Sequence, residues 1–209
     1  LNDANKLLDE LEINKIVKPR GVFGIFRANS CADDIELYDD KNNIIETFNM
    51  FRQQRKNENN IYLSLSDYIA PKESKIEDYM GAFLVTSGKE AKEYANELRD
   101  NGDEYNSMLL NFVCDRLAEA FAEKLHLDLR KKYWGYSENE NLKLDDVLKG
   151  KYIGIRPAIG YPSLKHQKEI KKIFRILDGE NYTGASITEN YMIDPPSSVC
   201  GLYFANKNA

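Results

Sequence analysis

The stretch GIRPAIGYP, residues 154–162, gathers residue types suited to holding a small ligand. Pro157 and Pro162 fix φ and donate no backbone hydrogen bond. Gly154 and Gly160 permit close backbone approach or an unusual φ. Arg156 offers a planar fork that matches a carboxylate in two bonds, and Tyr161 adds a ring face and a hydroxyl. Such a loop either presses its amides and carbonyls against a ligand around one fixed cation, or is a tight turn with a surface arginine. Spacing alone leaves both readings open. A second polar set lies on DRLAEAFAEKLH, where Asp115, Glu119 and Glu123 recur at i, i+4 and put three carboxylates on one helical stripe. A solvated face explains the stripe. The alternative turns one carboxylate, Glu119, toward a cationic ligand group, with Ala118, Ala120 and Ala122 letting another element approach. His126 reads as a partner for a carboxylate rather than a metal ligand.

Other chemistries lack their residues. There is no G-x-x-x-x-G-K-[ST], no G-x-G-x-x-G after a strand and no G-x-S-x-G. His126 and His166 are the only histidines, and Cys31, Cys114 and Cys200 are far apart without metal-ligand spacing. No catalytic nucleophile and no metal site is expected, and a reducing cytoplasm fits the cysteines. The net charge of −5 argues against a nucleic-acid partner. RKKYWGY, with its basic and aromatic residues, reads as Trp134 packing over a helix end in preference to an RNA-stacking patch. No run of 18 apolar residues suggests a membrane span, and the charged N-terminus lacks the pattern of a secretory signal.

The elements that must position these groups follow from periodicity. Residues 3–15, 88–101 and 104–133 carry helical spacing, with Asp103 as the cap of the longest helix. Residues 164–177 repeat the pattern. PRGVFGIFRAN, DDIELYDD, NIIETFNMF and IYLSLSDYIA alternate as half-buried strands, and DYMGAFLVTSG, more continuously apolar, is expected inside the sheet. Two β-rich runs flank Asp194–Ser197 and predict a hairpin. The order of helix, strands, helices and hairpin, without regular β-α alternation, is that of an α+β fold. No linker divides residues 1–209, and the chain reads as one domain truncated at both ends.

Several stretches, taken together and in order, resemble one family. RLAEAFAEKLHLDLRKKYWGY, GIRPAIGYP and ITENYMIDPPSSVCGLYF, preceded by PRGVFGIFRAN and LSDYIAPKES…DYMGAFLVTSG, are similar to the S-adenosylmethionine-binding activation domain of cobalamin-dependent methionine synthase. The family's Arg-x-x-x-Gly-Tyr element stands here as Arg156, Gly160 and Tyr161. The resemblance implies a single C-shaped α+β domain with a twisted antiparallel sheet flanked by helices, unlike the Rossmann-type methyltransferases. It implies that S-adenosylmethionine binds here for reductive remethylation of oxidised cob(II)alamin to methylcobalamin. Cobalamin and zinc would be held by other modules of the enzyme. The implied partners are the cobalamin-binding module and a flavodoxin-type reductant. Arg156 would clamp the methionine carboxylate, the backbone at Ala158 and Gly160 would hydrogen-bond the ligand, Tyr161 would wall the site and Glu119 would add a polar contact. An acidic residue upstream and a tyrosine pair downstream, which serve the ligand in the family, fall outside this chain. A non-catalytic docking module for a corrinoid protein or its reductase is the alternative.

Overall fold

The computed structural model describes residues 2–57 and 59–207. After helix α1 (Asn2–Ile13), three strands follow with short connections: β1 (Arg20–Cys31), β2 (Asp34–Tyr38) and β3 (Ile44–Asn49). Strand β4 (Asp78–Thr86) precedes helices α2 (Lys89–Asp100) and α3 (Glu104–Asp128). Asp103 caps α3, its side chain accepting from the Asn106 amide at 3.1 Å. A π-helical turn, Leu129–Tyr133, continues α3. The Leu129 carbonyl takes both the Trp134 and Gly135 amides, at 2.9 and 3.1 Å, which ends the helix. The short helix α4 (Leu144–Leu148), helix α5 (Ile170–Leu177), the short helix α6 (Gly179–Thr183), the two-residue strands β5 (Ser186–Ile187) and β6 (Ile193–Asp194), and β7 (Ser198–Tyr203) complete the order of helices and strands.

Five strands form one sheet in the order β3-β2-β1-β4-β7, with every neighbouring pair antiparallel. This is the antiparallel sheet with flanking helices that the family resemblance implied. Strand β4 is apolar on both sides because both faces of the sheet are covered. Met80, Ala82 and Leu84 point toward α5 and its Ile170, Ile173, Phe174 and Leu177. Phe83 and Val85 point the other way, onto Ala122 of α3 and Leu129. Strand β7 alternates likewise, with Cys200 and Leu202 on the α5 side and Tyr203 on the α3 side. A separate cluster joins α1, α2 and the start of α3 through Leu7, Leu11, Ala91, Ala95 and Leu110.

Three expected elements differ. Residues 61–70 are not a strand. The Ser64 amide donates to Asp67 at 2.8 Å and the Ser66 amide to the Ser64 hydroxyl at 3.3 Å, which closes a single 3-10 turn over Leu65–Tyr68. Local side chains satisfy the backbone of the turn, and only isolated bonds, such as the Ser30 amide to the Ala70 carbonyl at 3.1 Å, reach other segments. The fifth strand of the sheet is β7 instead. The predicted hairpin around Asp194–Ser197 is also absent. Pro195 and Pro196 cannot donate, so they end β6, which pairs back with β5. Strand β7 starts beyond them and pairs with β4, from Ser198 opposite Thr86 to Tyr203 opposite Gly81. Regular helix in the third case begins only at Ile170, after two 3-10 turns at Pro162–Leu164 and Gln167–Glu169.

Among the described residues no helix is long and apolar enough to cross a membrane. The three cysteines are free thiols. Burial raises Cys114 to about 11 and Cys200 to about 12, which keeps both thiols protonated and unreactive near neutrality.

Candidate functional site

The loop that carries Arg156 runs beside β7 as an irregular sixth strand. Ile155 pairs with Phe204 and Ala158 with Gly201, both antiparallel. The Ile155 amide donates to the Phe204 carbonyl at 3.0 Å, and the Ile155 carbonyl accepts from the Phe204 amide in return at 3.1 Å. One step on, the Leu202 amide donates to Pro157 at 3.0 Å, but Pro157 has no N–H to give back. The Ile159 amide then donates to Cys200 at 3.3 Å. This register has two consequences for function. It sets Arg156 opposite Tyr203, so the guanidinium points to the α3 side of the sheet. It also makes Ala158 and Gly201 a non-hydrogen-bonded pair, in which the N–H and C=O of Ala158 face away from β7. Among the described residues neither Ala158 group has a partner.

Missing side chains make the loop's approach possible. A Cβ on Gly201 would lie 2.4 Å from the Pro157 carbonyl oxygen. Gly154, at φ +84°, has the Phe204 carbonyl where its Cβ would be, at 2.5 Å. Alanine at either position would lift the loop from the strand.

Helix α3 supplies the facing groups. Its carboxylate stripe was expected to be solvated, yet each member has its own task. Asp115 accepts from the Ser197 hydroxyl at 2.7 Å and ties the double-proline turn to the helix. Glu119, 58% exposed at its side chain, lies 2.9 Å from Arg116 and faces the cavity. Glu123 accepts from Arg156 Nη2 at 3.1 Å, with side-chain exposures of 27% and 20% for acid and base. The guanidinium is therefore sheltered but not sealed. It also sits 5.8 Å from the centre of the Phe83 ring, within cation–π range.

Between loop, helix and turn lies a cavity of about 680 Å³. Arg156, Ala158, Tyr161 and Glu119 line it. Gly160 does not. Its amide donates to the Leu164 carbonyl at 2.8 Å and closes the turn that aims Tyr161. Tyr161 is 66% exposed and stands at the mouth. Residues that sequence reasoning did not single out form the far wall: Gln167, Met192, Pro196, Ser198 and Val199. Gln167 reaches Met192, Nε2 to Sδ, at 3.9 Å. The alternation of SSVCGLYF was an available signal for Val199 alone, because it separates Val199 from the core-facing Cys200 and Leu202.

Behind Arg156 lies a buried aromatic and polar cluster. His126 is fully buried, stacked on Tyr203 at 5.0 Å and edge-on to Tyr152 at 5.0 Å. Its Nε2 meets the Tyr136 hydroxyl at 3.2 Å, so its partner is a phenol and not the expected carboxylate. Burial, helped by the cations of Arg130 and Arg156, pushes its pKa down to about 2. Burial likewise raises the phenols of Tyr136 and Tyr203 above their ordinary range. Below, Arg130 Nε and Nη2 make two bonds to Glu140, at 2.7 and 2.8 Å, and its guanidinium covers the Tyr152 ring at 4.0 Å. Trp134 packs over Gly81 and Tyr136 beside this helix end, as its aromatic character suggested.

A stability prediction follows from His126. Its folded pKa lies below the unfolded value near 6.5, so above pH 6.5 both states are neutral and the group contributes no pH dependence. Below pH 6.5 the unfolded chain takes a proton that the folded chain refuses, and stability falls by up to about 1.4 kcal/mol per pH unit. Denaturant titrations at pH 7 and pH 5 should show a loss of about 2 kcal/mol from this group. His126→Gln should flatten that part of the slope. An unchanged slope in the variant refutes the assignment.

Among the described residues no group of three or more His, Cys, Asp and Glu is placed to hold a metal ion. A family model described as vitamin B12 dependent methionine synthase, activation domain, matches residues 1–209. The chain belongs to this family. Among solved structures, the crystal structure of the MetH reactivation domain bound to AdoHcy is similar to it, with a TM-score of 0.96 and 42% identity. The match covers 100% of this chain and 65% of that one, so the chain spans about two thirds of its relative's length. The sheet order and the loop along β7 are therefore the frame of an activation domain. The Arg156 cavity is the feature of that frame which combines a fixed cation, free backbone groups and room for a ligand.

Proposed function

We propose that residues 1–209 form one domain, the S-adenosylmethionine-binding reactivation module of a cobalamin-dependent methionine synthase. The observation that carries this reading is the sheltered guanidinium of Arg156 at the wall of a cavity of about 680 Å³. That volume falls in the range of about 300–1,000 Å³ usual for small-ligand sites. The guanidinium has donors to spare, since Glu123 takes a single bond. Arg156 binds the α-carboxylate of the methionine moiety, the outward amide and carbonyl of Ala158 meet its polar atoms, and Tyr161 covers the mouth. Gly160 acts through the turn and its carbonyl. Glu119 offers a carboxylate to the cationic end of the ligand.

The methyl of a sulfonium is electrophilic without help, so the chain needs no nucleophile–base pair to activate it. Its task is placement. Cobalamin, held by another module, would supply the metal centre that receives the methyl, with a flavodoxin-type reductant as the source of the electron and S-adenosylhomocysteine as the product left in this site. Zinc also belongs to another module. The partners are thus protein modules in the cytoplasm, with neither nucleic acid nor membrane involved, in keeping with the net charge of −5.

Binding to a separate cobalamin module, with and without S-adenosylmethionine, tests this reading. Calorimetric uptake of S-adenosylmethionine, together with module binding that responds to it, is the expected result. Equal module binding in both cases, with no ligand uptake, would make the chain a docking module only.

A further inference from the structure

The pair behind the cavity wall is only half satisfied. Arg156 contacts Glu123 through one bond, Nη2 to Oε2, while Arg156 Nε and Glu123 Oε1 are buried without a protein partner. His126 Nδ1, Arg130 Nη1 and Tyr203 Oη share that condition. Five of the nine such atoms among the described residues thus belong to this one cluster. Arg156 lines the cavity and Glu123 does not.

The cluster also fixes the electrostatics. Arg130 is neutralised by Glu140, and His126 stays uncharged. Glu123 is therefore the anion left to hold Arg156. An arginine side chain carries about 2 kcal/mol of rotamer entropy when free. A single ion-paired bond from behind restrains it without using up the fork.

We infer that Glu123 is a positioning residue for ligand recognition: it sets the guanidinium of Arg156 so that its remaining N–H groups receive an α-carboxylate. This rests on the reading of the cavity as a site for S-adenosylmethionine. Glu123 acts on the amino-acid end of the ligand alone, through Arg156, and leaves recognition of the nucleoside unchanged.

Two probes separate those ends. S-adenosylhomocysteine carries the amino-acid tail, and 5′-methylthioadenosine lacks it. Calorimetry on the protein should show Glu123→Ala weakening S-adenosylhomocysteine about 10-fold, as expected when preorganisation of one charged contact is lost. Its affinity for 5′-methylthioadenosine should stay within about 2-fold of wild type. Glu123→Gln, which keeps an acceptor and the side-chain volume, should recover part of the loss. In an Arg156→Ala background, Glu123→Ala should add nothing. Equal weakening of both probes would show a merely structural role, and unchanged or tighter binding of S-adenosylhomocysteine would make Glu123 a bystander or a competitor. Each of these overturns the inference while wild-type binding stands. A wild-type protein that takes up neither probe overturns the functional reading, and this inference with it.

Discussion

Arg156→Ala should weaken S-adenosylmethionine binding by about 100-fold, the scale of truncating one partner of a desolvated charge pair. The loss has two sources. The ligand carboxylate forfeits its fork, and Glu123 is left with both oxygens unpaired, one of them already buried. Arg156→Lys should recover little, because an ammonium cannot hold Glu123 and a carboxylate in one plane. The fold should survive, since the loop is held by backbone bonds to Leu202, Phe204 and Cys200 that the side chain does not make. Calorimetric titration with circular dichroism on the same samples checks both statements. Wild-type affinity in Arg156→Ala contradicts the clamp.

Glu140→Ala should have the largest effect on stability. Arg130 is wholly buried and Glu140 has 5% side-chain exposure. Removing the acid strands a buried cation, which costs about 3–5 kcal/mol. For a chain of this size that lowers the melting temperature by about 6 to 20 °C. Arg130→Met with Glu140→Leu should cost less than Glu140→Ala, because no charge remains to be solvated. Site integrity should fall with the single change, since Arg130 supports Tyr152 and Tyr152 borders His126. Thermal unfolding of the two variants and wild type decides it. A drop of less than about 1 kcal/mol in Glu140→Ala contradicts a dry, charge-paired interior.

Much of this fold is legible in the residues. Strands β2 and β3 alternate because one neighbour in two faces a core, and β4 reads as interior because α3 and α5 cover its two sides. The long helix announces itself through Asp103 and its apolar spacing. Leu65 and Ile69 misled because their apolar character belongs to a turn that Ser64 and Asp67 close. The runs around Asp194–Ser197 misled because both are true strands. Which partner each takes is decided by Pro195 and Pro196, which part β7 from β6, and by the apolar face of β4 that receives it.

The site divides along the same line. Arg156 stands out locally, since prolines and glycines surround it. Asp115, Glu119 and Glu123 stand out as a stripe, but their separate tasks depend on where a loop 33 residues further on lies against β7. Periodicity describes one element at a time. The Arg156–Glu123 contact arises from a register between an irregular edge segment and a strand of the far C-terminal region. His126 shows the same limit: Lys124 and Asp128 lie two residues away on either side in the sequence, yet its surroundings in the fold are Tyr136, Tyr152 and Tyr203.

The most direct measurement is a crystal structure of the protein with S-adenosylhomocysteine. The ligand should lie between the 154–162 loop and α3, with its carboxylate at about 2.7–3.2 Å from the Arg156 guanidinium and its polar atoms on the backbone of Ala158. A ligand held with its carboxylate turned from Arg156, or bound at another surface altogether, contradicts the account.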